Sequence, residues 1–117
     1  MAKIFHLVPL EYRTQIESEE LYSPASLEDE GFIHCCRTDQ IELIAGKYFS
    51  GLDEILLLRI QERLISAKVV HEAPVETPNA SIEFPHIYGP LNTNAIDKTF
   101  VLKKKDGQFF VPDDLLD

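Results

Sequence analysis

Long apolar runs are missing from this chain of 117 residues. A helix that spans a membrane needs roughly 18 consecutive apolar residues, and no segment approaches that length. The first residues also lack the apolar region of a signal peptide and soon give way to polar ones. We therefore expect a protein of the cytoplasm that has no membrane as a partner.

Cysteine is scarce, with only Cys35 and Cys36 in the chain. Neighbouring residues of a strand point to opposite faces, so a disulfide between these two would be strained. This excludes a disulfide framework and fits a reducing compartment. Two interpretations of the thiols stay open: either Cys36 is a nucleophile activated by His34, or both cysteines are small buried hydrophobic residues.

Basic residues are also few, since 11 lysines and arginines face 20 acidic residues and leave a formal net charge of −9. Such a surface repels phosphate backbones, so we expect no nucleic acid partner. The chain lacks the glycine-rich phosphate loops, the nucleophile elbow and the zinc-helix motif of common enzymes. We expect a small-molecule ligand, and the sequence leaves the oligomeric state open.

Two main helices are predicted. Pro9 is favoured at a first helical position and predicts a helix with Tyr12, Ile16 and Leu21 on its buried side. A capping signal at residues 38–39 predicts a second helix up to Ser50. The buried stripe of that helix, read from its helical spacing, consists of Ile41, Ile44, Ala45, Tyr48 and Phe49.

Apolar runs and alternating patterns predict strands, and a hairpin turn is expected at residues 106–107. The fold class is therefore α+β, a mostly antiparallel sheet of about six strands with two main helices in a single domain over residues 1–117. Residues 112–117 are expected to form a loose acidic tail. The predicted strands lie at residues 3–8, 31–36, 54–60, 67–71, 84–88, 95–103 and 108–111.

The segment from Phe84 to Leu91 carries the strongest functional pattern. Two prolines and a glycine frame it, which stiffens its ends and permits a turn. In an extended segment, Phe84, His86 and Tyr88 share one face. This arrangement is typical of a binding site, although a plain edge strand followed by a turn has the same pattern.

Histidines recur on the predicted strands. On the second strand His34 shares a face with Phe32 and Cys36, and we expect His34 and His86 to line one cleft. A structural histidine, half buried and hydrogen-bonded, is the alternative for each. Zinc binding by His34, Cys36 and His86 is chemically reasonable but disfavoured, because the ligand spacing of known zinc sites is missing.

We interpret the acidic runs, among them residues 28–30, as solvated faces. Two carboxylates lie outside these runs. Glu72 ends a strand beside His71 and opens a loop, and Glu83 precedes the strand of His86. Either glutamate is placed to orient a ribose or a histidine.

Three segments together resemble an uncharacterised bacterial family catalogued as domain of unknown function 952. They are residues 4–9 (IFHLVP), 31–35 (GFIHC) and 84–91 (FPHIYGPL), and the resemblance extends to Asn92. The family is distantly similar to ADP-ribosyltransferase folds, which hold NAD and commonly use a catalytic glutamate. By this resemblance His6 and Tyr88 are candidate cofactor-binding residues, and Glu72 is the candidate catalytic glutamate.

The resulting hypothesis is a small enzyme of the ADP-ribosyltransferase type or a binder of a nucleotide-like small molecule. Its candidate catalytic residues are His34, His86 and Glu72, and its candidate cofactor-binding residues are His6 and Tyr88. The cofactor that the resemblance implies is NAD, the reaction is ADP-ribosyl transfer, and no metal is expected. Two alternatives stay open: a non-catalytic module that binds a ligand or a protein, and a zinc-dependent hydrolase.

Overall fold

The computed structural model of the protein describes residues 3–74 and 76–116. Within these residues it contains eight strands, all paired antiparallel, and three short α-helices. The strands are β1 (Lys3–Pro9), β2 (Leu21–Tyr22), β3 (Ile33–His34), β4 (Glu54–Gln61), β5 (Lys68–Glu72), β6 (Phe84–Tyr88), β7 (Leu91–Asn92) and β8 (Ile96–Lys103). The helices are α1 (Arg13–Ser18), α2 (Ala25–Glu30) and α3 (Ile41–Tyr48). The α+β class is confirmed.

The strands form three sheets instead of the single sheet expected. One has the order β1-β4-β8, another β3-β6-β5, and β2 pairs with β7. The two larger sheets are joined where Phe5 and Cys36 exchange backbone hydrogen bonds of 2.8 Å in both directions. This junction brings β1 close to the segment after β3, and it positions the site described below.

Strand β4 is central, as its apolar sequence predicted. Its residues from Ile55 to Ile60 are all buried. Alternate side chains enter two different cores, with Leu56 and Leu58 in one and Ile55 and Leu57 in the other. Period-two alternation thus places a hydrophobic cluster on each face of the first sheet.

The first predicted helix begins later than expected. Pro9 is the last residue of β1, a 3-10 turn follows over Leu10–Tyr12, and α1 comes after it. Only Ile16 of the predicted stripe is buried, whereas Tyr12 and Leu21 are exposed. The helix is too short to carry a stripe of that length, because Leu21 already belongs to β2.

In α3 the predicted core contacts of Ile41 and Ala45 are confirmed, and Ile44 and Phe49 pack at the edge of the same core. Tyr48 is the exception, since it is 55% exposed. It lies at the last residue of the helix, where its ring reaches the edge of a cavity.

The predicted C-terminal hairpin is only partly formed. Asp106 and Gly107 adopt positive φ angles of 53° and 78°, as a tight turn requires. The strand expected over residues 108–111 is absent from the described structure, because the Val111 amide donates to the Glu42 carboxylate at 3.0 Å instead of to a neighbouring strand.

Residues 112–116, the described part of the segment expected to be a loose tail, make defined contacts, and Asp117 lies outside the described residues. Leu115 is buried, and its carbonyl accepts a hydrogen bond of 2.8 Å from the guanidinium of Arg59. Asp114 forms an ion pair of 3.1 Å with Lys98. None of the helices in the described part of the chain has the length and apolarity needed to cross a membrane.

Candidate functional site

Two histidines lie directly opposite each other on β3 and β6. His34 and His86 are partners in the register of this ladder, and their ring centroids are 5.6 Å apart with an interplanar angle of 76°. Directly opposite residues of an antiparallel pair project from the same face. The two imidazoles therefore meet, as we expected, whereas their catalytic roles stay predictions.

An apolar ring packs behind this pair. Phe32 stacks on His86 with a centroid distance of 4.1 Å and an angle of 22°. The same ring lies 4.8 Å from His34 in an edge-on arrangement and 5.4 Å from Tyr88. One phenyl group thus contacts three polar rings, and it restricts the rotation of each by packing.

A carboxylate connects two residues of the predicted site. Glu72 accepts a hydrogen bond of 2.8 Å from Nδ1 of His86, and its same oxygen accepts the hydroxyl of Tyr88. The hydrogen bond from Tyr88, and after it the one from His86, lowers the pKa of Glu72. The hydrogen bond between Tyr88 and Glu72 also raises the pKa of Tyr88. Glu72 is therefore ionised at neutral pH and can act only as an acceptor.

His34 has a carboxylate partner of its own. Its Nε2 lies 2.6 Å from Oε2 of Glu30, at the last residue of α2. Gly31 then adopts a left-handed φ of 88°, which ends the helix and leads the chain directly into β3. Glu30, which was interpreted as part of a solvated acidic run, is indeed exposed at 43% of its side chain, and its carboxylate in addition pairs with His34.

His6 is buried, and both of its ring nitrogens have partners. Nδ1 lies 2.5 Å from the backbone oxygen of His34, and Nε2 lies 3.1 Å from the hydroxyl of Tyr22. Burial lowers the pKa of His6 to about 4, so the ring is neutral. Nδ1 must then donate to the carbonyl while Nε2 accepts from Tyr22. No ring nitrogen of His6 is left for a cofactor, and the structure favours a structural role instead of the cofactor-binding role expected.

A cavity of about 470 Å³ opens over these residues. His6, His34 and His86 line it together with Glu30, Tyr48 and Glu76. Most of the remaining wall is apolar or aromatic, as is usual for a small-molecule site. Glu72 and Tyr88 are not among the described lining residues, so they act on the cavity only through His86.

Sequence reasoning missed the outer wall of this cavity. The hydroxyl of Tyr48 donates to Glu76 at 3.1 Å, which links α3 to the loop before β6. Hydrogen bonds from its own backbone amide and from Tyr48 lower the pKa of Glu76. The exposed apolar ring at the end of an amphipathic helix was the available signal for Tyr48, and the sequence offers none for Glu76.

The second candidate glutamate, Glu83, contributes only its backbone to the surroundings of the site. Its carbonyl accepts hydrogen bonds from Arg37 at 2.6 Å and from Gln40 at 2.9 Å. These bonds fix the start of β6 against the turn before α3. No contact of the Glu83 side chain supports a catalytic role within the described residues.

Both cysteines are buried. Burial raises the pKa of Cys36 to about 12 and raises that of Cys35 well above the usual thiol value. Both are therefore protonated at neutral pH, which favours the structural interpretation over a nucleophile. Across residues 3–74 and 76–116, no three histidine, cysteine or acidic side chains converge in a way that could hold a metal ion.

A second hollow, of about 620 Å³, lies between residues 9–11, 52–54 and 103–104. It is larger but much more open than the histidine cavity, and no histidine lines it. Paired lysines and acidic residues at a surface groove of this kind are ordinary solvated groups. The candidate site is therefore the smaller, more enclosed cavity.

The chain is thus a small α+β protein in which paired histidines line a cavity. The model of a family described as protein of unknown function, DUF952, matches residues 7–99, and the chain belongs to this family, as its motifs predicted. No curated protein matches the chain.

Solved structures of one protein, CC0527 from Caulobacter crescentus, share the fold. The crystal structure has a TM-score of 0.79 and 24% identity, and the match covers 97% of this chain and 98% of that one. The crystal structure of a double mutant of CC0527 gives the same values. The solution structure has a TM-score of 0.75 and 21% identity over 93% of this chain and 91% of that one.

Proposed function

We propose that the protein is an enzyme that binds a nucleotide-like molecule in the histidine cavity and transfers its ribosyl group. The observation that carries this proposal is the position of His86. Its Nδ1 is bound to Glu72 outside the cavity, while the ring itself lines the wall beside His34. A histidine held by a carboxylate on one side and open to a cavity on the other is a common arrangement for a general base.

The character of the cavity favours a ligand with a flat ring. Phe84, Tyr48 and Phe49 contribute aromatic surface, and His34 and Glu30 contribute polar groups. Apolar walls with a few convergent polar groups are typical of small-molecule sites, and a volume of about 470 Å³ falls in their usual range. The choice of NAD rests on the resemblance of the sequence motifs to ADP-ribosyltransferase folds, and that resemblance is itself part of this proposal.

In the proposed reaction the bond between the ribose C1′ and the nicotinamide nitrogen breaks, and nicotinamide leaves with the bonding electron pair. The hydroxyl of an acceptor, or water, forms the new bond to C1′ and gives its proton to Nε2 of His86. The carboxylate of Glu30 lies at the cavity wall and is the group placed to stabilise the positive charge on the ribose. Glu72, the glutamate expected for this task, is not among the described lining residues.

Binding is tested by calorimetry with NAD and with ADP-ribose, and turnover by chromatographic detection of released nicotinamide. We expect binding by the native protein and loss of turnover in His86→Asn. His71→Asn is the matched control, because His71 also pairs with a glutamate, Glu62, at 3.1 Å but does not line the cavity.

The outcomes separate the alternatives. Binding without nicotinamide release would support the non-catalytic ligand-binding module instead of the enzyme. The absence of any binding heat or thermal shift at millimolar NAD and ADP-ribose would reject the nucleotide proposal. Equal loss of turnover in both variants would show that the assay does not report on this cavity.

A further inference from the structure

Glu72 and Tyr88 form a polar group on the side of His86 that faces away from the cavity. Glu72 is the last residue of β5, and Tyr88 is the last residue of β6. The same Glu72 oxygen accepts from His86 Nδ1 and from the Tyr88 hydroxyl. The Glu72 side chain is 34% exposed whereas that of His86 is 3% exposed, so the chain of hydrogen bonds runs from the protein surface to a buried ring.

This contact determines which nitrogen of the neutral His86 ring carries the proton. An ionised carboxylate only accepts hydrogen bonds, so the proton lies on Nδ1. A neutral imidazole has one donor and one acceptor nitrogen, and Nε2 is therefore the acceptor. Glu72 is the hydrogen-bond partner described for Nδ1 and is therefore the group that selects this tautomer.

The acceptor nitrogen faces the cavity. Nε2 of His86 has no hydrogen-bond partner within residues 3–74 and 76–116. In the same part of the chain, every side-chain nitrogen or oxygen that is sealed from solvent in a residue that is not exposed has a hydrogen-bond partner. Nε2 must therefore be reached by solvent, and the cavity that His86 lines is the available route. The stacked ring of Phe32, at 4.1 Å, limits rotation away from this direction.

We infer that Glu72 and Tyr88 are positioning residues: Glu72 fixes His86 as the tautomer whose Nε2 accepts a proton in the cavity, and Tyr88 holds Glu72 in place. This inference rests on the proposed function, in which His86 is the general base. It changes the roles expected from the sequence, because neither residue is placed to touch a ligand and both act through His86.

The test is nitrogen-15 NMR of the histidine rings in the full chain, which distinguishes protonated from unprotonated ring nitrogens without any ligand. In the native protein, at a pH at which the ring carries a single proton, we expect that proton on Nδ1 of His86 and a bare Nε2. In Glu72→Ala the carboxylate is gone, and the tautomer with the proton on Nε2 is expected to become the major form.

Glu72→Gln is the second variant, and it keeps the size of the side chain. Its amide offers either an oxygen or an NH₂ group to Nδ1, so both tautomers of His86 are expected in measurable amounts. Tyr88→Phe should keep the native tautomer and raise the pKa of Glu72 toward its usual value, because the largest cause of its depression is removed. Glu62→Ala, which removes the partner of His71, is the matched control and should leave His86 unchanged.

A His86 ring that keeps its proton on Nδ1 in both Glu72 variants would overturn the inference. So would a native protein with the proton on Nε2. Because this measurement needs no ligand, its result is independent of the NAD experiments. The inference fails for Glu72 only through the tautomer and for Tyr88 only through an unchanged pKa of Glu72 in Tyr88→Phe, whereas the proposed function fails only through binding and turnover.

Discussion

Replacing His6 with glutamine should remove a large part of the acid sensitivity of the fold. His6 is buried and neutral, donates from Nδ1 to the His34 carbonyl at 2.5 Å and accepts from Tyr22 at 3.1 Å. A glutamine amide also has a donor and an acceptor but does not titrate. His6→Gln therefore approximates the neutral hydrogen-bonding pattern while it eliminates the protonation.

The magnitude follows from the pKa of His6, which burial lowers from 6.5 to about 4 in the folded protein. Between these two values the unfolded chain binds a proton at this residue and the folded chain does not, so the free energy of unfolding falls as the pH is lowered. At 1.36 kcal/mol for each pH unit, the full loss between pH 6.5 and pH 4 is about 3 kcal/mol. Above pH 6.5 the effect vanishes, because His6 is neutral in both states.

The assay is urea unfolding at a series of pH values between about 7.5 and about 4, a range that brackets both pKa values. Other titrating groups contribute to the native protein and to His6→Gln alike, so the difference between the two curves isolates His6. We expect this difference to change by about 3 kcal/mol in favour of the variant as the pH falls. His71→Gln, at a histidine whose side chain is 37% exposed, is the control for the loss of an imidazole at the surface. A curve for His6→Gln that runs parallel to that of the native protein would refute the reasoning.

Three further predictions concern packing and ionisation. Gly89→Ala should lower the free energy of unfolding by roughly 1–3 kcal/mol, because φ is +157° and the new Cβ would lie 2.9 Å from that of Ala67. Ala67→Gly in the same chain should recover part of this loss, and no recovery would mean that the backbone angle is the whole cause. Cys36, with its pKa raised to about 12, should react with a disulfide reagent at pH ~8 far more slowly in the folded protein than in urea, and equal rates would contradict its burial. Asp97→Asn should lower the free energy of unfolding in urea by roughly 3 kcal/mol, because Asp97 pairs at 2.7 Å with the buried Arg59. A loss no larger than that of an ordinary surface substitution would contradict this prediction.

The meeting of His34 and His86 was predictable from local alternation. Phe32 and His34 share a face of one segment, and His86 and Tyr88 share a face of another. Two polar faces of this kind tend to line one surface when their strands pair. The register itself was not predictable, because nothing local specifies the pairing. A slip of one residue would place His34 opposite Pro85 or Ile87, whose side chains point to the other face of the sheet from His86.

The partners of the histidines were the part that sequence reasoning could not supply. Glu30 belongs to an acidic run, and only the left-handed Gly31 turns its helix end toward His34. The Tyr48–Glu76 contact depends on how a loop returns over α3. Side chains that meet through turns and loops leave no periodic signal, so their pairing is known only from the folded chain.

For His6, the same alternation of side chains along the strand indicated that the residue is buried. His6 lies between Ile4 and Val8 on one face of β1, and both of those residues belong to a buried hydrophobic cluster. A histidine on such a face has to be buried with them, and a buried imidazole must be neutral and hydrogen-bonded. The resemblance to a cofactor-binding position directed attention to its chemistry, whereas its neighbours on the strand already indicated a structural role. Because its Nδ1 binds the His34 carbonyl, that role fixes the strand from which the cavity histidine projects.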